Sequence, residues 1–167
     1  MMMIRLNSSE PTRGSMILIS HRGNINGRIP ERENDPEYLM EAMKAGYSVE
    51  ADVWMVDNQY WLGHDEPTYK VDDKFLQNDK IWFHAKNIEA LYAMSSDSQI
   101  HYFWHQEDDF ALTSKGYIWT YPRKKLTNRS ICVLTSDTNH AILERECAGI
   151  CSDYIGSYKI TDEKDLL

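Results

Sequence analysis

The sequence predicts an α/β protein: a compact, incomplete TIM-like (β/α) barrel in which some helices are reduced to turns. Three observations lead there. Short apolar runs that read as strands recur about seven times and alternate with helical or turn segments, the pattern of parallel strands joined by crossovers. Each run stops abruptly at a polar cluster, as strands do where their carboxyl ends carry a site. The 167 residues fall well short of the ~250 that eight full units require, so several helices have to be missing or shortened.

The elements justify this in order. Met16-Ile-Leu-Ile19 is an apolar run that ends in Ser20-His-Arg-Gly23. After a loop, Asp35-Pro36 reads as an N-cap with proline at the first helical position, and Gly46 as the stop of a helix over about 36–45. Ser48–Trp54 is a strand with β-branched and aromatic residues. Asp57-Asn-Gln59 turns into a hairpin partner, Tyr60–Gly63, which ends in His64-Asp65. A short helical stretch is expected near 72–77, a strand over 80–85 with Lys86 at its carboxyl end, and a helix over 88–95 capped by Asn87. Strands follow at 100–104, 116–120, 130–134 and 149–151, with at most one or two helical turns over 108–113 and a helix over about 138–147.

Composition narrows the function classes. Hydrophobic content of 42% and charged content of 26% are ordinary for a globular domain. A net charge of −8 argues against a nucleic-acid binder. Nothing approaches the ~18 consecutive apolar residues of a membrane span, and the first residues lack the apolar core of a secretory signal. Residues 1–15 have the composition of a flexible extension, leaving 16–167 as one domain. Cys132, Cys147 and Cys151 are an odd number without metal-type spacing. They read as buried thiols in a reducing, cytoplasmic setting.

The chemistry centres on Glu50-Ala-Asp52. Two residues apart on a strand, both carboxylates leave one face while Val49, Ala51 and Val53 leave the other. Two adjacent acids are costly to bury unless a cation sits between them, and hard cations prefer carboxylate oxygen. Alternation is equally the mark of an edge strand whose acids face water. If the strands close, one rim gathers His21, Arg22, Glu33, Glu50, Asp52, His64, His84, Lys86, His105 and Trp119.

His21-Arg-Gly23, Glu33-Asn34, Glu50-x-Asp52 and His64-Asp65, in this order, resemble the glycerophosphodiester phosphodiesterase family. Gly149–Tyr154 resembles that family's last barrel strand, and Ile118-Trp-Thr120 its late Trp-Thr strand. The motifs span residues 17–154, and related sphingomyelinase D-like and phosphatidylinositol phospholipase C-like barrels share the layout. The resemblance implies a barrel phosphodiesterase using one divalent cation, Mg²⁺ or Ca²⁺, on a small glycerol-type or lipid-derived phosphodiester. It implies Glu50 and Asp52 as metal ligands, His21 and His64 as the acid/base pair, and Arg22 and Lys86 on the phosphate. His105 and Trp119 are expected as further substrate contacts.

One position departs from the family. His84 stands where a third acidic ligand is usual, which weakens Mg²⁺ or Ca²⁺ binding or shifts preference toward Mn²⁺ or Zn²⁺. Glu33 could swing in as a ligand instead. The family's insertion after His64-Asp65 is absent here, with only residues 66–80 between Asp65 and Ile81, which implies a shallower, more open site. Two alternatives stand beside hydrolysis: an intramolecular transfer that yields a cyclic phosphate, and a catalytically silent barrel that only binds a phosphorylated ligand. The oligomeric state is not legible.

Overall fold

The computed structural model describes residues 16–134 and 147–158. The segment 1–15, the helix expected over 138–147 (up to residue 146) and the tail from 159 lie outside them. The chain forms strand β1 (Ile17–His21), helix α1 (Pro36–Lys44), strands β2 (Ser48–Val56), β3 (Gln59–Leu62) and β4 (Tyr69–Val71), and helix α2 (Asp73–Leu76). Strand β5 (Ile81–Ala85) and helix α3 (Ile88–Ser95) follow. The rest is β6 (Tyr102–Phe103), β7 (Phe110–Leu112), β8 (Ile118–Thr120), β9 (Ser130–Leu134), β10 (Gly149–Ser152) and a 3₁₀ turn at Ile155–Ser157.

All ten strands belong to one mostly parallel sheet. Its parallel run is β6-β5-β2-β1-β10-β9-β8, with β3, β4 and β7 added antiparallel at the sides. The long strand β2 organises it. Its first half lies between β1 and β5, and its second half pairs with β3 across a turn at Asp57 and Asn58. Both turn residues have positive φ, as a tight two-residue hairpin requires.

The caps form as expected from local chemistry. Asp35 accepts from the Glu37 amide at the start of α1, and Asn87 from the Ala90 amide at the start of α3. These helices cover one face of the sheet: Leu39, Ala42, Met43, Ala90 and Met94 pack on Val49, Ala51, Val53, Ile81, Phe83 and Ala85. The other face carries a second buried cluster of Ile19, Trp82, Phe103, Ala111, Trp119, Ile131, Val133 and Cys151. His21 stands two residues beyond Ile19 and His84 two beyond Trp82 on this same face. The apolar cluster is therefore the floor on which the polar residues rest.

Two expectations are corrected. Residues 108–113 are not helical; Phe110–Leu112 is a strand antiparallel to β8. Between His64-Asp65 and the helical stretch near 72–77, where no strand is expected, Tyr69–Val71 pairs antiparallel with β3.

Candidate active site

Register places the acids. In the parallel ladder His21 is opposite Glu50, Glu50 opposite Trp82, and Asp52 opposite His84. The two carboxylates thus point to the same side as both histidines, and they are buried, at 3% and 0% exposure. An edge strand with its acids in water is excluded. Strand neighbours are ~4.8 Å apart, so four titratable side chains from three strands meet in one place.

The two acids live in opposite surroundings. Asp52 accepts from Asn34 Nδ2 at 2.9 Å, lies 3.1 Å from His84 Nδ1 and 3.9 Å from Lys86 Nζ, and pairs with Arg22 Nε at 3.0 Å. Asn34 also accepts from the Asp52 amide. Burial opposes its charge, but the His84 and Arg22 contacts outweigh that and hold it well below the usual carboxylate range. In Glu50 burial, and then the charge of Asp52, push the carboxyl up. Its Oε2 is buried without a hydrogen-bond partner, and the nearest cationic group is His21 Nε2 at 3.7 Å.

A turn puts the first motif over this pair. Arg22 has φ 55° and its amide donates to the Glu50 carbonyl. Gly23 follows at φ 95°, where a Cβ would come within 2.6 Å of the Tyr38 ring. The turn sends the Arg22 guanidinium back to bridge Asp52 and Glu33. His21 Nδ1 lies 2.8 Å from Asp153 Oδ1. The carboxylate only accepts, so Nδ1 carries the proton and Nε2 faces Glu50 and the site. Burial lowers the His21 pKa, but the Asp153 bond and the Glu50 charge reverse this and raise it.

His64 comes from a different construction. It follows Gly63, whose φ is 150° and where a Cβ would fall 1.9 Å from the Glu66 carbonyl oxygen. That turn lifts His64 off the end of β3 into an exposed position, 41% accessible, with Nδ1 2.7 Å from Asp65 Oδ1. His21, Arg22, Arg28, His64, Asp65 and Asp153 line one open cleft of about 510 Å³.

Glu50, Asp52 and His84 can each offer one ligand atom, all within 4.8 Å of one another. The donor set fits a divalent cation on two observations. Glu50 Oε2 is an orphaned buried oxygen. The ring of His84 lies between two pure acceptors, Asp52 Oδ1 at Nδ1 and the His105 carbonyl at 3.3 Å from Nε2. A neutral ring can donate to only one of them, and a cation beside Asp52 suits the nitrogen left with a lone pair. With Nε2–H held by the carbonyl, the Nδ1 lone pair is available as a ligand.

The remaining expected residues are placed as follows. Glu33 does not join the carboxylate cluster; it accepts from Arg22, Asn24 and Arg28. Burial raises its pKa, but these bonds prevail and bring it to about 2. Lys86 reaches Asp52. His105 stacks on His84 at 4.3 Å and is hydrogen-bonded to the Tyr121 hydroxyl. Trp119 is buried in the floor, stacked on Phe103 at 4.6 Å, rather than at the rim. Asn24 and Tyr121 lie outside the motifs, and Asn34 and Asp153, within Glu33-Asn34 and Gly149–Tyr154, carry no expected role there. Asp153 had a signal: it lies two residues past Cys151, on the site-facing side of β10.

Neither the family models, the curated proteins nor the solved structures compared with this chain match it.

Proposed function

We propose that the protein is a divalent-metal-dependent phosphodiesterase of the glycerophosphodiester phosphodiesterase type. The observation that carries this reading is the His21–Asp153 pair facing the orphaned Glu50 oxygen, in the cleft that His64–Asp65 also lines. Glu50, Asp52 and His84 would hold the cation, most suitably Mg²⁺ or Ca²⁺, with the imidazole opening the site to Mn²⁺ or Zn²⁺ as well. When bound, the metal supplies Lewis-acid stabilisation of charge on the phosphoryl oxygens.

The chain's own residues do the rest. Arg22 and Lys86 add positive charge where phosphoryl charge grows. Each histidine has Nδ1 against a carboxylate and Nε2 available, so one accepts the proton of the attacking hydroxyl and the other gives one to the departing alkoxide. The new P–O bond forms as the old one breaks, and the two histidines exchange roles without net proton change. Water as nucleophile yields a monoester; a hydroxyl of the substrate yields a cyclic phosphate.

The reading includes closure of the parallel run into a small barrel. Stacking of Phe103, on the strand at one end of the run, against Trp119, at the other, supports it. The buried free thiols Cys132 and Cys151 support a cytoplasmic setting. No helix among the described residues is long and apolar enough to cross a membrane. A binding-only reading has one observation in its favour: Asp52 is already satisfied by Asn34, His84, Lys86 and Arg22.

The test is hydrolysis of an aryl phosphodiester and a panel of glycerophosphodiesters after chelation, with each metal added back and products identified. Metal-restored turnover that His21→Ala removes supports the phosphodiesterase reading, and a monoester or cyclic product decides the nucleophile. A folded protein that binds Mn²⁺ but turns over none of them supports the binding-only reading.

A further inference from the structure

Arg28 has no role in the chemistry above, yet it lines the same cleft as His21 and His64. Its loop is pinned on both sides. The Gly27 amide donates to the Asp153 carbonyl at 2.8 Å, and the Ile29 amide to Asn24 Oδ1 at 3.1 Å. Gly27 has φ 117° and lies over the Tyr154 ring, where a Cβ would come within 3.2 Å. The arginine is therefore presented from a fixed backbone. Its side chain is 54% exposed, against 13% for Arg22.

Glu33 is what arranges the two. Its carboxylate, only 7% exposed, takes Arg22 Nη1 at 3.1 Å on Oε2 and Arg28 Nε at 2.9 Å on Oε1, with Arg28 Nη2 at 3.3 Å. One buried acid thus holds two guanidiniums side by side. Arg22 also bridges to Asp52. Arg28 uses two of its three nitrogens on Glu33 and keeps Nη1 for a ligand. A guanidinium held by a fork-type pair is pre-organised for a second anion, because little side-chain freedom remains to be lost.

We propose that Arg28 is a specificity-determining residue that recognises a second anionic group on the substrate. The substrate class is then a phosphodiester whose alcohol carries a carboxylate or a phosphate monoester, rather than a neutral or cationic alcohol. This rests on the phosphodiesterase reading for the word substrate, but its test needs no turnover.

The test is calorimetric binding of three probes to the full chain with Mn²⁺ present: ethyl phosphate, phosphoglycolate and 1,2-ethanediol bisphosphate. The first has a single anionic group; the second adds a carboxylate and the third a phosphate. At least one of the latter two is expected to bind about tenfold more tightly than ethyl phosphate, and which one identifies the group. In Arg28→Gln that ratio is expected to fall below about twofold, and Arg28→Lys to retain part of it. The ratio is internally normalised, so a general loosening of the site does not mimic the result. A ratio near one in the unaltered protein, an undiminished ratio in Arg28→Gln, or no binding of any probe overturns the proposal. Binding with the expected ratio but no diester turnover would leave it standing and remove the phosphodiesterase reading instead.

Discussion

Two histidine–aspartate pairs line the cleft, and they are built in opposite ways. His21 and Asp153 are 132 residues apart and come from the ends of adjacent parallel strands, with Asp153 buried and His21 15% exposed. His64 and Asp65 are chain neighbours on an exposed turn, with Asp65 91% accessible. The contrast teaches where each partner matters. Water can replace Asp65 at little cost, since an exposed ion pair contributes only ~0–1 kcal/mol. Nothing can replace Asp153, which also accepts from the buried Asn24 amide.

The largest effects should fall on the histidines themselves. His21→Ala and His64→Ala are each expected to lower kcat/KM by about 10²–10⁴-fold, the usual worth of a positioned acid or base. The aspartates should then separate. Asp153→Asn is expected to cost about 10²-fold or more, by freeing the His21 tautomer, and Asp65→Asn less than about threefold. Equal losses in steady-state kinetics would erase the distinction between the two pairs.

A second contrast lies within one strand. Asp52→Asn strips the counter-charge from Arg22, His84 and Lys86, and should destabilise the metal-free protein by ~3–5 kcal/mol. Glu50→Gln removes a buried charge that lacks a hydrogen-bond partner, and should stabilise the metal-free protein by ~1–3 kcal/mol while abolishing metal binding. Denaturant melts with and without Mn²⁺ would read both signs.

The smallest effect is on pH dependence. Burial, with the charge of Lys115 adding, lowers the pKa of His101 to about 4, where it is bonded to Thr113. The unfolded chain takes up this proton near 6.5, so stability should fall as pH drops from 6.5 to 4. Glu33, at about 2 when folded, extends the loss from about 4.5 downward. His21 is raised, so its contribution runs the other way, present below 6.5 and lost as pH climbs through its folded value. His105, lowered to about 4 by burial and then by the charge of His84, adds to the same slope, so His101→Gln should reduce it between pH 4 and 6.5 in a series of melts without abolishing it.

What was legible in the sequence was local. The caps Asp35 and Asn87, the turn at Asp57-Asn58 and the shared face of Glu50 and Asp52 depend on spacings of a few residues. What was not legible depended on partners far along the chain or on inverted patterning. In β7 the large residues Phe110 and Leu112 face outward and the small Ala111 inward. Three residues beside Asp108-Asp109 therefore gave no clear strand signal. Trp119 resembles a rim residue by motif, but its position in β8 puts it opposite Ile131, in the floor. Glu33 reads as available to a metal from the sequence, but Arg22 and Arg28 claim it. The burial of Glu50 and Asp52 followed only once β2 was flanked by β1 and β5.

The most direct test of the acid–base assignment varies the leaving group. The kcat/KM values of His21→Ala and His64→Ala would be measured on a diester with a nitrophenolate leaving group and on a glycerophosphodiester, whose alkoxide needs a proton. The account predicts that one of the two variants, the one lacking the general acid, regains most of its activity on the nitrophenyl substrate while the other stays impaired on both. Equal impairment of both variants on both substrates, or no impairment of either, would contradict it.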